Sequence, residues 1–323
     1  MVNRFVRWLI VVFMLIALTL GLSYPSIVSA EGISPLPLDY THGGFKTKED
    51  NWVYDGKTPV SYKDSSIEVI SEKGSVTHKI KGKNVKHETW VVRIKIKDPS
   101  QLRTAVSQDS YKGRGQAKAD EMARSKNAVV AINGDFFKYE NDVGYVVRQG
   151  EFIRDATNNK RGRIFDMLII DDHGDFHVVY SAVTENIEQY INNNITAKGR
   201  TVINTFGLGP VLVADGKAQD ITMSEAIKQG CYQWKYPQQR IAIVQTGNLE
   251  YAIVEVYGKT DSSAGLTMEQ FADFVAQQCP DAIIAYNLDG GGSTNLVMNN
   301  RRICKTPGLR EITDIIYFAS AEE

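Results

Sequence analysis

Cysteine is scarce. In 323 residues only Cys231, Cys279 and Cys304 occur, too few and too scattered for a disulfide framework or for a zinc site with paired-cysteine spacing. One bridge and a spare thiol is the most they allow. Histidine is almost as sparse: the five, His42, His78, His87, His173 and His177, show no metal-ligand spacing, and none is assigned to catalysis. Neither sign of charge dominates, since Lys+Arg 37 against Asp+Glu 38 leave a net charge of -1. That balance excludes a bulk field favouring nucleic acid or an anionic membrane, so an anionic ligand must be held by local groups. No internal repeat is present, which excludes a solenoid or array. What the composition does supply, with 43% hydrophobic and 10% aromatic residues, is enough to bury a sizeable core.

The N-terminus reads as an export signal over residues 1–30. Arg4 and Arg7 give a positive start, Trp8 to Leu22 is almost continuously apolar, and Val28-Ser29-Ala30 offers small residues before Glu31. The apolar run falls short of the roughly 20 residues that a spanning helix needs. Contact with a membrane is therefore expected only through this segment, and only if it stays uncleaved. Export with so little cysteine fits the envelope of a bacterium, or secretion from it. Residues 31–60 carry Pro35, Pro37, Gly43, Gly44 and Pro59 without a sustained period and are expected to be a linker.

From Ile67 the pattern alternates. In Trp90 to Lys97 the residues Val92, Ile94 and Ile96 share one face of a strand. Gly115 to Lys126 has helix-forming composition and feeds the apolar strand Ala128 to Ile132. Further strands follow at Phe165 to Ile170, Phe176 to Tyr180, Arg240 to Val244 and Tyr251 to Val256, the last pair joined by a hairpin at Gly247-Asn248. Thr267 and Gln270 form a capping box for a helix carrying Phe271, Phe274 and Val275, and Pro280 ends it. The strand Ala282 to Leu288 is apolar along most of its length, as expected of a strand buried on both faces. The reading is one α+β domain over residues 61–321, a single mixed, largely antiparallel sheet with packed helices.

Two strands end in residues able to do chemistry. Ala282 to Leu288 runs into Asp289-Gly290-Gly291-Gly292-Ser293-Thr294: an acid, three residues without Cβ and two hydroxyls. Such a run lets backbone amides approach a phosphate or a developing oxyanion, and it is equally the composition of a tight turn to Leu296-Val-Met298. Ala128 to Ile132 ends in Asn133-Gly134-Asp135-Phe136-Phe137, also compatible with an ordinary Asn-Gly turn. Arg240 begins a strand and Arg310 lies just before the terminal strand Ile312 to Phe318. Either guanidinium could grip a phosphodiester as a fork, though most surface arginines are merely solvated or paired.

In order along the chain, these segments resemble the phosphodiester glycosidase family. The resemblance spans roughly residues 125–318 and rests on seven matches. They are Asn133 to Phe137, Gly144-Tyr-Val-Val-Arg148, Gly209-Pro-Val-Leu-Val213, Arg240-Ile-Ala242, Gly265-Leu-Thr with the helix after it, Asn287 to Thr294, and Arg310. Two departures stand out. Where the family often has Asp-Gly this chain has Tyr257-Gly258, with Glu255 the nearby acid, and Ile241 follows Arg240 where the family usually shows threonine.

The resemblance implies a mixed α/β fold in which these motifs converge and hydrolysis at a sugar-1-phosphate. The expected substrate is a carbohydrate phosphodiester, an N-acetylhexosamine linked to an envelope glycopolymer or glycoconjugate. Asp289 is the expected general base or nucleophile, with Asp135 or Glu255 as a second carboxylate. Asn133, Gly134, Arg148, Arg240, Gly290, Gly291, Gly292, Ser293, Thr294 and Arg310 are the expected substrate-binding residues, the glycine-loop amides cradling the anion. Asp135 and Asp289 could offer oxygen to a hard cation such as Ca²⁺, but no loop has the spacing of a dedicated calcium motif, so no metal or cofactor is expected. Other readings of the same motifs are a non-catalytic envelope glycan-binding module and a scaffold of exopolysaccharide assembly.

Overall fold

The computed structural model describes residues 33–111, 115–135, 144–157, 165–229 and 233–323. The expected signal peptide, Phe136, Phe137 and Cys231 lie outside them. Residues 33–323 form one compact unit.

Its strands make four sheets rather than one, and every pairing among the described residues is antiparallel. The nine-stranded sheet has at its centre Lys83–Ile96, Glu250–Val256, Arg240–Gly247 and Ile284–Asn287. A five-stranded sheet is centred on Ala128–Asn133, between Leu296–Met298 and Asp314–Ala319. A three-stranded sheet runs through Phe165–Asp171, and Gly144–Arg148 pairs with Glu151–Ala156.

Alternation explains why several strands look apolar throughout. In Arg240–Gly247, Ile241 and Ile243 enter the core shared with the five-stranded sheet, while Ala242 and Val244 face the helix Met268–Gln278 on the opposite side. In Asp314–Ala319, Ile316 and Phe318 join the same shared core, and Ile315 and Tyr317 pack toward the helix Ala119–Ser125. The order is thus helix, sheet, core, sheet, helix. Each fully buried Ile, Leu or Phe contributes about 1.5–3 kcal/mol, so the shared core is the main stabilising layer. The helix Met268–Gln278 starts as expected: Thr267 Oγ1 accepts from Gln270 N–H at 3.2 Å and Gln270 Oε1 from Thr267 N–H at 3.1 Å.

Two expectations need correction. The single sheet is four, because residue alternation marks strands but not their long-range partners. The expected linker is built into the domain from Ile33 onward. Ile33 bridges to Glu322 and Phe45 to Ser320, and Trp52–Asp55 and Thr58–Lys63 are the outermost and second strands at one side of the nine-stranded sheet. Its prolines and glycines bend an ordered strap instead of loosening it. Cys279 and Cys304 are buried free thiols. Among the described residues no helix is long and apolar enough to cross a membrane.

Candidate active site

The site lies where the ends of the two large sheets meet. Ala242 pairs with Asn287, and Leu288 N–H donates to Ile241 O at 3.0 Å, so the chain leaves the sheet at Asp289 beside the start of the Arg240 strand. From the other sheet, Asn133 stands opposite Ile315 and next to Asp314. Asn133 joins the two halves: its Nδ2 donates to Asp289 O at 2.8 Å and its Oδ1 accepts from Asn295 N–H at 3.0 Å.

A cleft of about 480 Å³ opens here, lined by Leu208, Gln233, Gln238, Arg240, Thr260, the segment Asn287 to Gly292, Gly308 and Arg310. Six of the predicted residues therefore meet in one cavity: Asp289, the three glycines, Arg240 and Arg310. Tyr286 sets the Leu208 edge, its hydroxyl accepting from Leu208 N–H at 2.9 Å and lying 2.7 Å from Asp166 O. Asn287 lines the cleft too, and its buried Oδ1 has no hydrogen-bond partner among the described residues, leaving an acceptor for a ligand hydroxyl or amide.

Asp289 is 16% exposed, and Arg310 Nη2 lies 3.8 Å from its Oδ2. Arg310 itself is 48% exposed and donates to Ser293 Oγ at 2.7 Å. Burial pushes the Asp289 carboxyl up to about 6; hydrogen bonds from Ser293 and Gly290 N–H and the Arg310 charge act against it, and the charge of Asp135 adds to it.

The glycine loop works differently from the expected anion cradle. Gly290 N–H serves the Asp289 carboxyl, while Gly291 N–H donates to Gln239 O, Ser293 N–H to Gly290 O and Thr294 N–H to Gly291 O. Four amides are thus committed within the protein. What the glycines provide is closeness: a Cβ on Gly290 would stand 2.7 Å from Gln239 O, and one on Gly292 2.4 Å from Gly308 O. Arg310 N–H donates to Gly292 O at 2.8 Å, so this close approach seats the arginine beside Asp289.

Behind the cleft lies a buried charge cluster. Arg148, unexposed, donates from Nη2 to Asp135 Oδ1 at 3.0 Å and to Asp314 Oδ2 at 3.0 Å, and its guanidinium stacks 4.5 Å from the Phe206 ring centre. It also bonds Thr205 O. Asp135 Oδ2 accepts from Gly207 N–H at 3.0 Å, next to the cleft residue Leu208. Burial lifts Asp314 to about 7; Arg148 opposes this, and Asp135 and Asp289 add to it. A Cβ on Gly134 would meet Asp314 Oδ1 at 2.4 Å. Arg148 and Gly134, expected on the substrate, hold this cluster together instead. Asp314 is the residue the sequence reading missed. Its signal was a lone acid within the apolar run Ile312 to Phe318, which requires a buried partner.

Three further expectations are relocated. Glu255 is 1% exposed and bonded to Gln239 Nε2 at 2.8 Å, outside the cleft lining, with burial raising its carboxyl to about 8. Thr294 is fully buried, its carbonyl accepting from Thr306 Oγ1 at 2.7 Å. Arg240 lines the cleft but is 3% exposed, and it donates to the carbonyls of Leu266, Gln233 and Tyr236; burial lowers it to about 10. The more exposed cation beside Asp289 is Arg310. The acidic turn Asp171, Asp172 and His173 is grouped closely enough for a metal, but Asp171 is already engaged by Arg200 and His177.

The fold is similar to that of known proteins. The catalytic domain of zebrafish N-acetylglucosamine-1-phosphodiester alpha-N-acetylglucosaminidase, auto-inhibited by its pro-peptide, superposes with a TM-score of 0.61 at 16% identity, covering 87% of this chain and 88% of that one. A hypothetical protein from Synechocystis gives 0.49 at 17% identity over 81% of this chain and 64% of that one. A search of curated proteins finds no match. The sequence profile of phosphodiester glycosidases matches residues 126–319, which takes in Asn133, Asp135, Arg148, Arg240, Asp289, Arg310 and Asp314. The chain belongs to the phosphodiester glycosidase family.

Proposed function

We propose that this protein is an exported hydrolase that releases a sugar, an N-acetylhexosamine, from a sugar-1-phosphodiester of an envelope glycopolymer or glycoconjugate. The observation that carries the reading is the pairing of Asp289 with Arg310 at 3.8 Å in a cleft of about 480 Å³. A carboxyl raised to about 6 is mostly ionised at neutral pH yet basic enough to take a proton, which suits a general base or nucleophile at the anomeric carbon. Arg310 holds the phosphate, and the leaving phosphomonoester is stable enough to depart without a strong general acid. Gln233, Gln238, Thr260 and Asn287 supply amide and hydroxyl groups for a neutral sugar. Asp135, locked to Arg148, acts through its field on Asp289, and no step needs a metal.

Asp289→Ala is expected to abolish release of N-acetylglucosamine from its 1-phosphodiester while the unfolding temperature stays close to wild type. Full turnover by that variant would remove Asp289 from the chemistry. Hydrolysis in ¹⁸O-water is expected to label the sugar; label on the phosphate would mean attack at phosphorus.

A further inference from the structure

The hairpin of Ile67–Ile80 and Lys83–Ile96 is paired from Ile67 with Ile96 through to Ile80 with Lys83. Only its base belongs to the body of the nine-stranded sheet. Thr58–Lys63 pairs along it no further than Ile70, and Glu250–Val256 reaches only Thr89. Residues 75–88 continue past the sheet as a two-stranded arm. Val256 pairs with both Thr89 and Arg240, so the arm leaves at the end of the sheet that carries the cleft. It is tied to the cleft wall: Glu88 O accepts from Tyr257 N–H at 2.9 Å and His87 Nδ1 from Gly265 N–H at 3.0 Å, and Thr260 of the cleft lies between those two anchor points.

Beyond Glu88 at its base, which is ion-paired with Lys73, the arm is one-signed. From Ser75 to His87 it carries Lys79, Lys81, Lys83 and Lys86 and no acidic residue. All four lysines are exposed, and among the described residues none is ion-paired, whereas Lys63, Lys73 and Lys95 nearer the sheet are bridged to Glu68, Glu88 and Glu250. In a chain of net charge -1 this concentrates positive potential beside the cleft mouth. At about 3.3 Å per residue the arm extends about 17 Å from Glu88 to Lys83, long enough to meet more than one charge of a polymer.

Taking the glycosidase reading as its basis, we infer that the lysine arm at residues 75–88 is a landing site for a polyanionic, phosphodiester-linked glycopolymer whose end enters the cleft. A small sugar phosphodiester brings one charge, which Arg310 already meets, so the arm has a use only for a longer substrate. A lipid surface fits less well. The arm has no exposed large hydrophobic residue to insert; Ile80 is buried, and Val76 and Val85 are half-buried.

The test compares wild type with the quadruple variant Lys79→Gln, Lys81→Gln, Lys83→Gln, Lys86→Gln in the folded unit Ile33–Glu323. The substrates are a poly(N-acetylhexosamine-1-phosphate) and the methyl phosphodiester of N-acetylglucosamine-1-phosphate. On the polymer, KM is expected to rise about fivefold at low salt, with the difference shrinking as salt is added, while kcat/KM on the methyl diester stays unchanged. Unchanged polymer kinetics, or equal loss on both substrates, overturns the inference. So does a variant that loses only its binding to anionic-lipid vesicles, which would assign the arm to a membrane. If wild type turns over neither substrate, the glycosidase reading fails by itself. Polymer binding then still decides the arm, with weaker binding by the variant supporting it and equal binding overturning it.

Discussion

At Asp289 opposing influences act on one carboxyl: burial and the charge of Asp135 raise its pKa, while Ser293, Arg310 and Gly290 N–H lower it, and the outcome is about 6. The sign of the pH dependence follows. A base must be ionised, so kcat/KM is expected to fall about tenfold per pH unit once the pH drops below about 6. Arg310→Gln removes a favourable charge, so it should move this acidic limb to higher pH as well as raise KM; an unmoved limb would mean that the titrating group is not Asp289. At this scale the sequence was informative where a residue type could be read directly, as at Asp289 and Arg310. It was uninformative about orientation. Glu255 and Arg240 were placed at the right ends of their strands, but burial, which alternation alone cannot assign to one of two apolar faces, turned Glu255 onto Gln239 and wrapped Arg240 in backbone carbonyls.

At the scale of elements, the glycine segment is a spacer that fits one loop against another. The three glycines are unequal. Gly291 sits at φ 57° with nothing within 4 Å of an added Cβ, while Gly292 is pressed against Gly308 O. Gly291→Ala should therefore cost only the left-handed conformation, about 1–2 kcal/mol of stability in chemical denaturation. Gly292→Ala must push back the Gly308 to Arg310 loop, and it is expected to lower kcat/KM at least about tenfold by drawing Arg310 off the phosphate. Equal kinetics for the two variants would refute the spacer role. The helix capped by Thr267, the strand over Ala128–Asn133 and the strand delivering Asp289 were all legible in the sequence, because caps and apolar periods are local signals. The commitment of the Gly291 amide was not, since it depends on Gln239, a residue distant in sequence.

For the whole molecule, the hardest feature to read was how far the domain extends. Proline and glycine between residues 31 and 60 gave the composition of a linker, yet the strap they form supplies partners to two buried cations. Arg103, unexposed, donates from Nη2 to the carbonyls of Pro37 and Asp39, each at 2.7 Å, and Lys126 Nζ, 3% exposed at its side chain, donates to Thr41 O at 2.7 Å. Gly43 and Gly44 allow the contact, since a Cβ on either would stand within 2.5 Å of Lys126 or Ala319 atoms. Deleting residues 33–47 would leave Lys126 with its ion pair to Asp109 at 2.7 Å and Arg103 with Ser100 O and Tyr317 Oη, but it would strip both of their strap carbonyls, and a hydrogen bond to a charged group contributes about 1.5–3 kcal/mol. Calorimetry on the truncated chain is expected to show the unfolding temperature lowered by on the order of 10 °C. The cleft residues are untouched by the deletion, so turnover at 20 °C should survive in whatever fraction remains folded. An unchanged unfolding temperature would mean that the strap is a tether after all, and that Arg103 and Lys126 find water in its place.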